Sequence, residues 1–219
     1  MKQMVKTVPS IAETQAPGAT FPLERGHLRI LLEAFPKHGL LTTFQVTRLL
    51  YSVTSQTKVE TLLLTLLAEY GYIRRFKLPT AEGRRPFIYT WDEAGLAYMV
   101  KNGVAENELF YIPRGDEERN YLRIMHWLEL NDFLILAKLL EKARPDTTLF
   151  DLRHDMVLKH TPVKTYTYTE KNKMIAAVAD AYIEFKVKET QEKDAKYSGW
   201  VELDRNTEGE DKFIKKLKK

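Results

Sequence analysis

The chain has 219 residues, 44% of them hydrophobic, and 34 Lys and Arg against 30 Asp and Glu give it a formal net charge of +4. It contains no cysteine, which excludes disulfide frameworks, thiolate zinc sites and cysteine nucleophiles. No apolar run approaches the ~20 residues of a membrane span, and no apolar core of a secretory signal follows the N-terminal lysines, so we expect a soluble, cytoplasmic protein.

The first predicted element is a helix that follows a lead-in over residues 1–22, which we expect to be flexible because it shows no regular period. Between residues 24 and 35, apolar side chains recur every three or four positions, the spacing of one helical face. We expect Pro36 and Gly39 to end this helix. A short second helix is predicted after Thr43.

A third helix is predicted from the T-x-x-E spacing of Thr57 and Glu60, which is typical of a capping box. Gly71 is expected to cap its end. Beyond this glycine the apolar period changes from 3.6 to about two. This change predicts two strands, over residues 72–78 and 86–90, joined by a loop.

Together these elements predict a winged helix-turn-helix domain. A second T-x-x-E run at residues 90–93 is expected to open a closing helix. We place this domain over residues 23–112, because the proline and glycine within residues 111–115 interrupt the pattern. In such a domain the second helix of the helix-turn-helix motif, here the third predicted helix, enters the major groove of DNA with its exposed N-terminal half.

The side chains of this domain predict DNA binding. Between residues 55 and 90 there are six basic residues against three glutamates. Cationic and hydrogen-bonding side chains suit phosphates and base edges. The alternative is a winged helix that binds protein and carries its cations on a solvated surface. The candidate DNA-binding residues are Gln56, Lys58, Thr61, Arg74, Arg75, Lys77, Arg84 and Arg85.

Residues 113–219 are predicted to form a second, small α+β domain with the order α-β-β-β-α, which makes the whole chain α+β. A long helix over residues 116–143 comes first. The β-like stretches are predicted at residues 155–160, 165–169, 177–187 and 199–204, and a last helix runs from about residue 208 to the end.

Strand alternation places acidic side chains on one face of this second domain. Asp180 and Glu184 share a face of one strand, and Glu202 and Asp204 share a face of the next. If the two strands pair, these carboxylates cluster. Such clusters hold Mg²⁺ or Mn²⁺, which activate water for phosphodiester cleavage. The alternative is a face that is simply solvated, as one side of an antiparallel sheet often is.

Four motifs stand out in the sequence: His126-x-Leu128-x-x-Asn131, Ala179-Asp180-Ala181, Glu202-Leu203-Asp204-Arg205-x-Thr207-Glu208 and Lys215-x-Leu217. Together with the predicted winged helix, they resemble those of the replication-relaxation family, whose members are encoded largely on bacterial plasmids and integrative elements. The resemblance covers roughly residues 24–219, and it implies that the second domain is similar to the PD-(D/E)XK nuclease core.

The resemblance implies that Asp180 and Glu202 are the metal ligands, with Asp204 and Lys215 as further catalytic residues if the domain is active. Asp204, however, stands where the nuclease core has its lysine, the usual electrostatic stabiliser of the attacking hydroxide. Lys186 or Lys215 could substitute for it. Because the nuclease core normally continues to a further strand, we also expect a truncated or reduced form. Both departures argue against robust cleavage.

We therefore expect a DNA-binding accessory protein of plasmid or mobile-element replication, copy control or mobilisation. Double-stranded DNA is the expected partner, and a relaxase, a replication initiator or a second copy of the chain are further candidates. No cofactor is expected, except Mg²⁺ or Mn²⁺ if the nuclease-like domain is active. Two alternatives stay open: a Mg²⁺-dependent nuclease or nickase using Asp180, Glu202 and Asp204, and a dimeric transcriptional repressor.

Overall fold

The computed structural model of the chain combines helices with two three-stranded antiparallel sheets, so the predicted α+β class is confirmed. The structure describes residues 23–77, 86–105, 109, 121–160, 164–165, 175–176, 179–188 and 194–203. Among these residues, none of the helices is both long enough and apolar enough to cross a membrane.

The described residues of the first half of the chain form four helices and three short strands. A 3₁₀ turn, Val53–Ser55, separates the second helix from the third. The elements are α1 (an α-helical turn Arg25–Arg29, a π-helical segment Ile30–Ala34 and a last turn Phe35–His38), β1 (Leu40–Thr42), α2 (Thr43–Leu50), α3 (Gln56–Ala68), β2 (Ile73–Phe76), β3 (Ile88–Trp91) and α4 (Glu93–Lys101).

The first helix does not stop at Pro36, as the sequence suggested, but continues through it to His38. Within the π-helical segment the N–H of Phe35 donates to the carbonyl of Ile30, five residues back. Pro36 then falls in the first turn of the last helical segment, where its missing N–H costs little. Gly39 ends the helix with a φ of 69°, in the left-handed region that favours glycine.

The capping box predicted at Thr57 is wrong. Helix α3 already begins at Gln56, so Thr57 lies inside the first turn, where its carbonyl accepts the hydroxyl of Thr61 (3.1 Å). The capping box instead opens α2. There the hydroxyl of Thr42 accepts the N–H of Gln45 (3.2 Å), and Oε1 of Gln45 accepts the N–H of Thr42 (3.0 Å).

The second predicted capping box, at residues 90–93, is also displaced. Thr90 belongs to β3 and donates its hydroxyl to the carbonyl of Gly39 (3.0 Å). Helix α4 is capped by Asp92, which accepts the N–H of Glu93 (3.0 Å). The prediction chose Thr90 instead of Asp92 because threonine and aspartate both favour the N-cap position of a helix.

The first sheet has the strand order β1-β3-β2. The predicted hairpin is present as β2 and β3, which pair with Ile73 opposite Trp91. Strand β1 was not predicted. It joins through long-range pairs such as Leu40 with Thr90, and three residues are too few to show a period. The loop between the hairpin strands, residues 78–85, lies outside the described residues.

The second half of the chain contains a long helix, a three-stranded sheet of order β4-β7-β8 and a two-stranded sheet, β5-β6. The predicted boundary at residues 111–115, most of the stretch at 165–169 and the last predicted helix lie outside the described residues. The elements are α5 (Tyr121–Ala143), β4 (Thr147–His154), α6 (Asp155–His160), β5 (Lys164–Thr165), β6 (Ile175–Ala176), β7 (Ala181–Lys188) and β8 (Asp194–Val201).

The strand predicted at residues 155–160 is wrong, because this segment is the helix α6 and the strand, β4, comes just before it. Strand β4 is held by pairing with β7 along most of its length. Asp155 stands in the first turn of α6, where an acidic side chain is favoured by the helix dipole.

Helix α5 packs against both three-stranded sheets. Ile124 and Trp127 are buried in a cluster with Leu40 of β1. Leu130 and Leu134 are buried in another cluster with Ala181, together with other residues of the second sheet. Both three-stranded sheets are therefore held against the same helix.

Candidate nucleic-acid interface and carboxylate site

Helix α3 presents a polar face to solvent at its N-terminal end. Val59 and Leu63 are completely buried and fix the orientation of the helix. The predicted contact residues Gln56, Lys58 and Thr61 are exposed in the first two turns of the helix. The side chain of the N-cap Ser55 does not cap the helix.

The cations near α3 and on the hairpin lie over aromatic rings. The Lys58 ammonium is 6.0 Å from the centre of the Tyr51 ring. On the hairpin, the Arg75 guanidinium is 4.2 Å and the Lys77 ammonium 4.4 Å from the ring of Phe87. Such contacts orient a cation and leave its N–H groups accessible.

Neither Arg75 nor Lys77 forms an ion pair within the part of the chain that the structure describes. Arg74 is placed differently. It is only 9% exposed and lies on the other face of β2, with its guanidinium 5.8 Å from the ring of Phe76. Arg84 and Arg85 lie outside the described residues.

Asp180 lies just before β7 and is held by two donors. Its backbone N–H donates to the carbonyl of Val201 (3.0 Å). Oδ1 is 3.2 Å from Nε2 of His126, and Oδ2 accepts the N–H of Leu203 (2.7 Å). Burial by itself raises the pKa of this carboxyl, but the hydrogen bonds from His126 and Leu203 outweigh burial and lower the pKa below its usual value.

The two predicted strands do pair, with Tyr182 opposite Trp200 and their rings 5.0 Å apart. The second strand was predicted too late in the chain, however, because β8 ends at Val201 and does not include Glu202. Glu184, on the same face, accepts the hydroxyl of Tyr182 (2.8 Å) and forms an ion pair with Lys196 (2.5 Å). The hydrogen bond from Lys196, followed by that from Tyr182, lowers the pKa of Glu184. Its charge is thus balanced within the sheet.

The described residues do not fit a divalent cation. In these parts of the chain no group of three or more His, Asp or Glu side chains is arranged to hold a metal ion. Both oxygens of Asp180 already accept donors. Glu202 is exposed, and Lys186 forms an ion pair with Asp194. Asp204 and Lys215, the remaining predicted catalytic residues, lie outside the described residues.

A buried polar cluster between α1, β1 and α5 was missed by the sequence reasoning. The amide nitrogen of Asn131 donates to the carbonyls of His38 (3.0 Å) and Leu40 (2.7 Å). Because both donors of the amide are used, Oδ1 must be the acceptor for Nδ1–H of His38 (3.1 Å). Burial lowers the pKa of His38 to about 4, so the ring is neutral at pH 7.

A second buried cluster lies at the end of β4. Oδ1 of Asp155 is 2.5 Å from Nδ1 of His154 and accepts the indole N–H of Trp127 (3.1 Å). The sequence contained a hint of the first cluster in Asn131 and of the Asp180 contact in His126, the two polar side chains of the family-like motif on an apolar helix. Both motif side chains bind other elements of the protein itself.

A sequence model of the replication-relaxation family matches residues 32–219. The searches of curated proteins and of solved structures found no match. Since the family match spans far more than half of the chain and includes both sheets and the helix between them, the chain belongs to the replication-relaxation family.

Proposed function

We propose that this protein binds double-stranded DNA through a winged helix formed by α1–α4 and the first sheet, as an accessory protein of plasmid or mobile-element replication. The observation that carries the proposal is the set of exposed cations held over aromatic rings beside an exposed polar helix face. Family membership supports the replication context.

The arrangement suits the two kinds of contact that DNA-binding proteins make. Gln56 and Thr61, on the exposed start of α3, have the amide and hydroxyl groups that read base edges in the major groove. Lys58, Arg75 and Lys77 have the charges that bind phosphates and release counterions. A helix start without a side-chain cap adds N–H groups that favour a phosphate.

The second sheet does not support the same role. Lys186 and Lys196 are as cationic as the hairpin residues, but each already binds a carboxylate of its own sheet. A phosphate would have to displace that carboxylate. Replacing these two lysines therefore serves as a control for replacing two hairpin or helix cations, because both changes remove two positive charges.

The test is the salt dependence of binding to a fluorescently labelled duplex, measured by anisotropy. Replacing Lys58 and Arg75 with Ala is expected to flatten the plot of log K against log salt by roughly two phosphate contacts. Replacing Lys186 and Lys196 with Ala removes the same charge and is expected to leave the slope unchanged. Equal effects of the two double variants would exclude the proposed interface.

The same preparations can be incubated with supercoiled plasmid in Mg²⁺, in Mn²⁺ and in EDTA. We expect a retarded but intact plasmid in all three, because the described carboxylates bind donors of the protein itself. Metal-dependent cleavage that is lost in Asp180→Ala would contradict the accessory role and favour the nuclease alternative.

A further inference from the structure

A cavity of about 420 Å³ lies between α1, the end of α2, α5 and β4, and none of the residues proposed to contact DNA lines it. Its floor belongs to the folded interior, because Leu134 is completely buried and Leu49 nearly so. A partly enclosed, largely apolar space of this size is typical of a small-molecule site. The floor is aliphatic and is formed by Leu32, Leu49, Leu50, Leu134, Leu149 and Leu152.

The rim of this cavity carries more positive than negative charge. Both lining carboxylates are already bound to arginines. Oε2 of Glu33 is 3.4 Å from Nε of Arg29, and Oδ2 of Asp151 is 2.8 Å from Nε of Arg153. The lining lysines therefore do not have to neutralise these two acids. Among the described residues, the charged side chains of the rim are Arg29, Lys37, Lys138 and Lys142 against Glu33 and Asp151.

Two of the three lysines can bind an external anion. Lys138 is paired with Glu141 (2.5 Å), whose other oxygen accepts a backbone N–H. Lys142 donates to the carbonyl of Leu49 (3.0 Å), which holds its ammonium at the cavity and leaves two N–H groups for a ligand. Lys37 is exposed, and neither it nor Lys142 forms an ion pair within the part of the chain that the structure describes.

We propose that this cavity binds a medium-chain aliphatic carboxylate, with its head between Lys37 and Lys142 and its alkyl chain on the leucine floor. Burial of the chain against leucines removes apolar surface from water. The carboxylate accepts charge-assisted hydrogen bonds from the two ammonium groups. A nucleotide suits the cavity less well, because the polar edges of its base would lie against leucines without partners.

Calorimetric titration of the whole chain with decanoate tests the proposal. No DNA is present, so the outcome is independent of the proposed DNA binding. We expect saturable binding of decanoate at pH 7. Acetate has the head without the chain, and decyltrimethylammonium has the chain with the opposite charge, so each is expected to bind about tenfold more weakly or worse. No binding of decanoate, or equal binding of the cationic amphiphile, would overturn the proposal.

The variant Lys37→Met tests the contact with the head, because it keeps an unbranched side chain and removes the charge. We expect decanoate to bind about tenfold more weakly, since a hydrogen bond to a charged group is lost. Lys101→Met is the matched control. Lys101 is also an exposed lysine in the last turn of a helix, but it does not line the cavity. Equal affinities of the two variants for decanoate would contradict the proposed site.

Methyl NMR of protein labelled with carbon-13 at leucine locates the alkyl chain. We expect decanoate to shift the signals of Leu49 and Leu152, which lie in the floor. Leu64 and Leu136, 37% and 53% exposed, lie outside the cavity and report binding to any apolar surface. Shifts confined to the floor would support the site. Shifts of the same size at Leu64 and Leu136 would show non-specific binding and overturn it.

Discussion

The two three-stranded sheets lie against the same helix, α5, but are joined to it by different interactions. The first sheet shares a buried apolar cluster with the helix around Leu40, and it is fixed in addition by uncharged, buried hydrogen bonds, since Asn131 donates to the carbonyls of His38 and Leu40. The second sheet is fixed mainly by apolar contacts of Ala181 and Ile183 with the helix. Removing one polar side chain should therefore harm the first junction far more than the second.

The outer faces of the two sheets differ in whether their charged side chains have partners within the sheet. On the first sheet, Arg75 and Lys77 lie over Phe87 and have no carboxylate partner among the described residues. On the second, Glu184 and Lys196 neutralise each other. Charges that are balanced inside a sheet stabilise it slightly, whereas charges left on aromatic rings remain available to an external anion.

The largest effect is expected from Asn131→Ala. This side chain is fully buried, and its removal leaves two carbonyls and the His38 N–H without partners. We expect a loss of about 4 kcal/mol in the free energy of unfolding, measured by urea denaturation. The control is Asp132→Ala, the adjacent exposed residue, which is expected to cost less than about 1 kcal/mol. Similar costs for both would remove the contrast between the junctions.

The next effect is a pH dependence caused by His38. Burial is the main reason that the pKa of this ring is lowered to about 4, with the hydrogen bond to Asn131 opposing it and the nearby His154 and Lys37 assisting it. The unfolded chain binds a proton near pH 6.5 and the folded chain does not, so stability falls as the pH decreases from about 6.5 towards 4.

The contribution of His38 to this loss is expected to be about 3 kcal/mol between pH 7 and pH 4. It is measured as the difference between urea unfolding curves of the wild type and His38→Gln, since other groups also titrate in this range. The variant retains a donor towards Asn131 without a group that titrates. If both proteins lose stability in parallel, His38 is not the titrating group.

A smaller effect is expected from Asp180→Asn, which weakens the contact of this carboxylate with His126, between α5 and the start of β7. We expect a loss of about 1.5 kcal/mol at pH 7. Because the folded pKa of Asp180 is lowered, this contribution is complete above its usual pKa and is lost as the pH falls through the folded value.

A double-mutant cycle of Asp180→Asn with His126→Asn measures the interaction directly. We expect the two substitutions together to cost less than the sum of the single effects. Strictly additive costs would show that the two side chains do not stabilise each other. DNA affinity is expected to be unchanged in Asp180→Asn, because its oxygens contact only the protein.

Local patterns in the sequence predicted the elements whose partners are close in the chain. The apolar period identified α3 and α5, and the change of period after Gly71 identified the hairpin. Apart from the two misplaced capping boxes, the errors lie where contacts with distant residues decide the structure. Strand β1 forms by pairing with residues about fifty positions away, and β4 forms by pairing with β7. Neither contact leaves a period in the sequence.

In the candidate sites, too, the sequence predicted what depends on a single strand and missed what depends on contacts between elements. Alternation correctly placed Tyr182 and Glu184 on one face, with Trp200 opposite. It could not reveal that a histidine from a helix more than fifty residues earlier binds Asp180. A carboxylate looks the same in sequence whether it binds a metal ion or an imidazole, and the distinction depends on packing between elements.

The smallest effect is expected from Glu184→Gln, on the balanced outer face of the second sheet. Lys196, its partner, is 66% exposed, so solvent screens the pair and the unfolding midpoint should not change measurably. The pKa of Tyr182 is the sensitive quantity. Burial is the main cause that raises it, and the hydrogen bond and negative charge of Glu184 raise it further. The phenol is therefore expected to titrate at lower pH in the variant.

Carbon-13 NMR of tyrosine labelled at Cζ resolves the titration of Tyr182 from those of the other tyrosines. Asp194→Asn is the control, because it removes a carboxylate that binds Lys186 rather than Tyr182. An unchanged Tyr182 titration in Glu184→Gln would mean that this carboxylate does not hold the phenol. The ion pair with Lys196 would then be the only contact that balances Glu184 among the described residues, and the contrast between the two outer faces would rest on that pair alone.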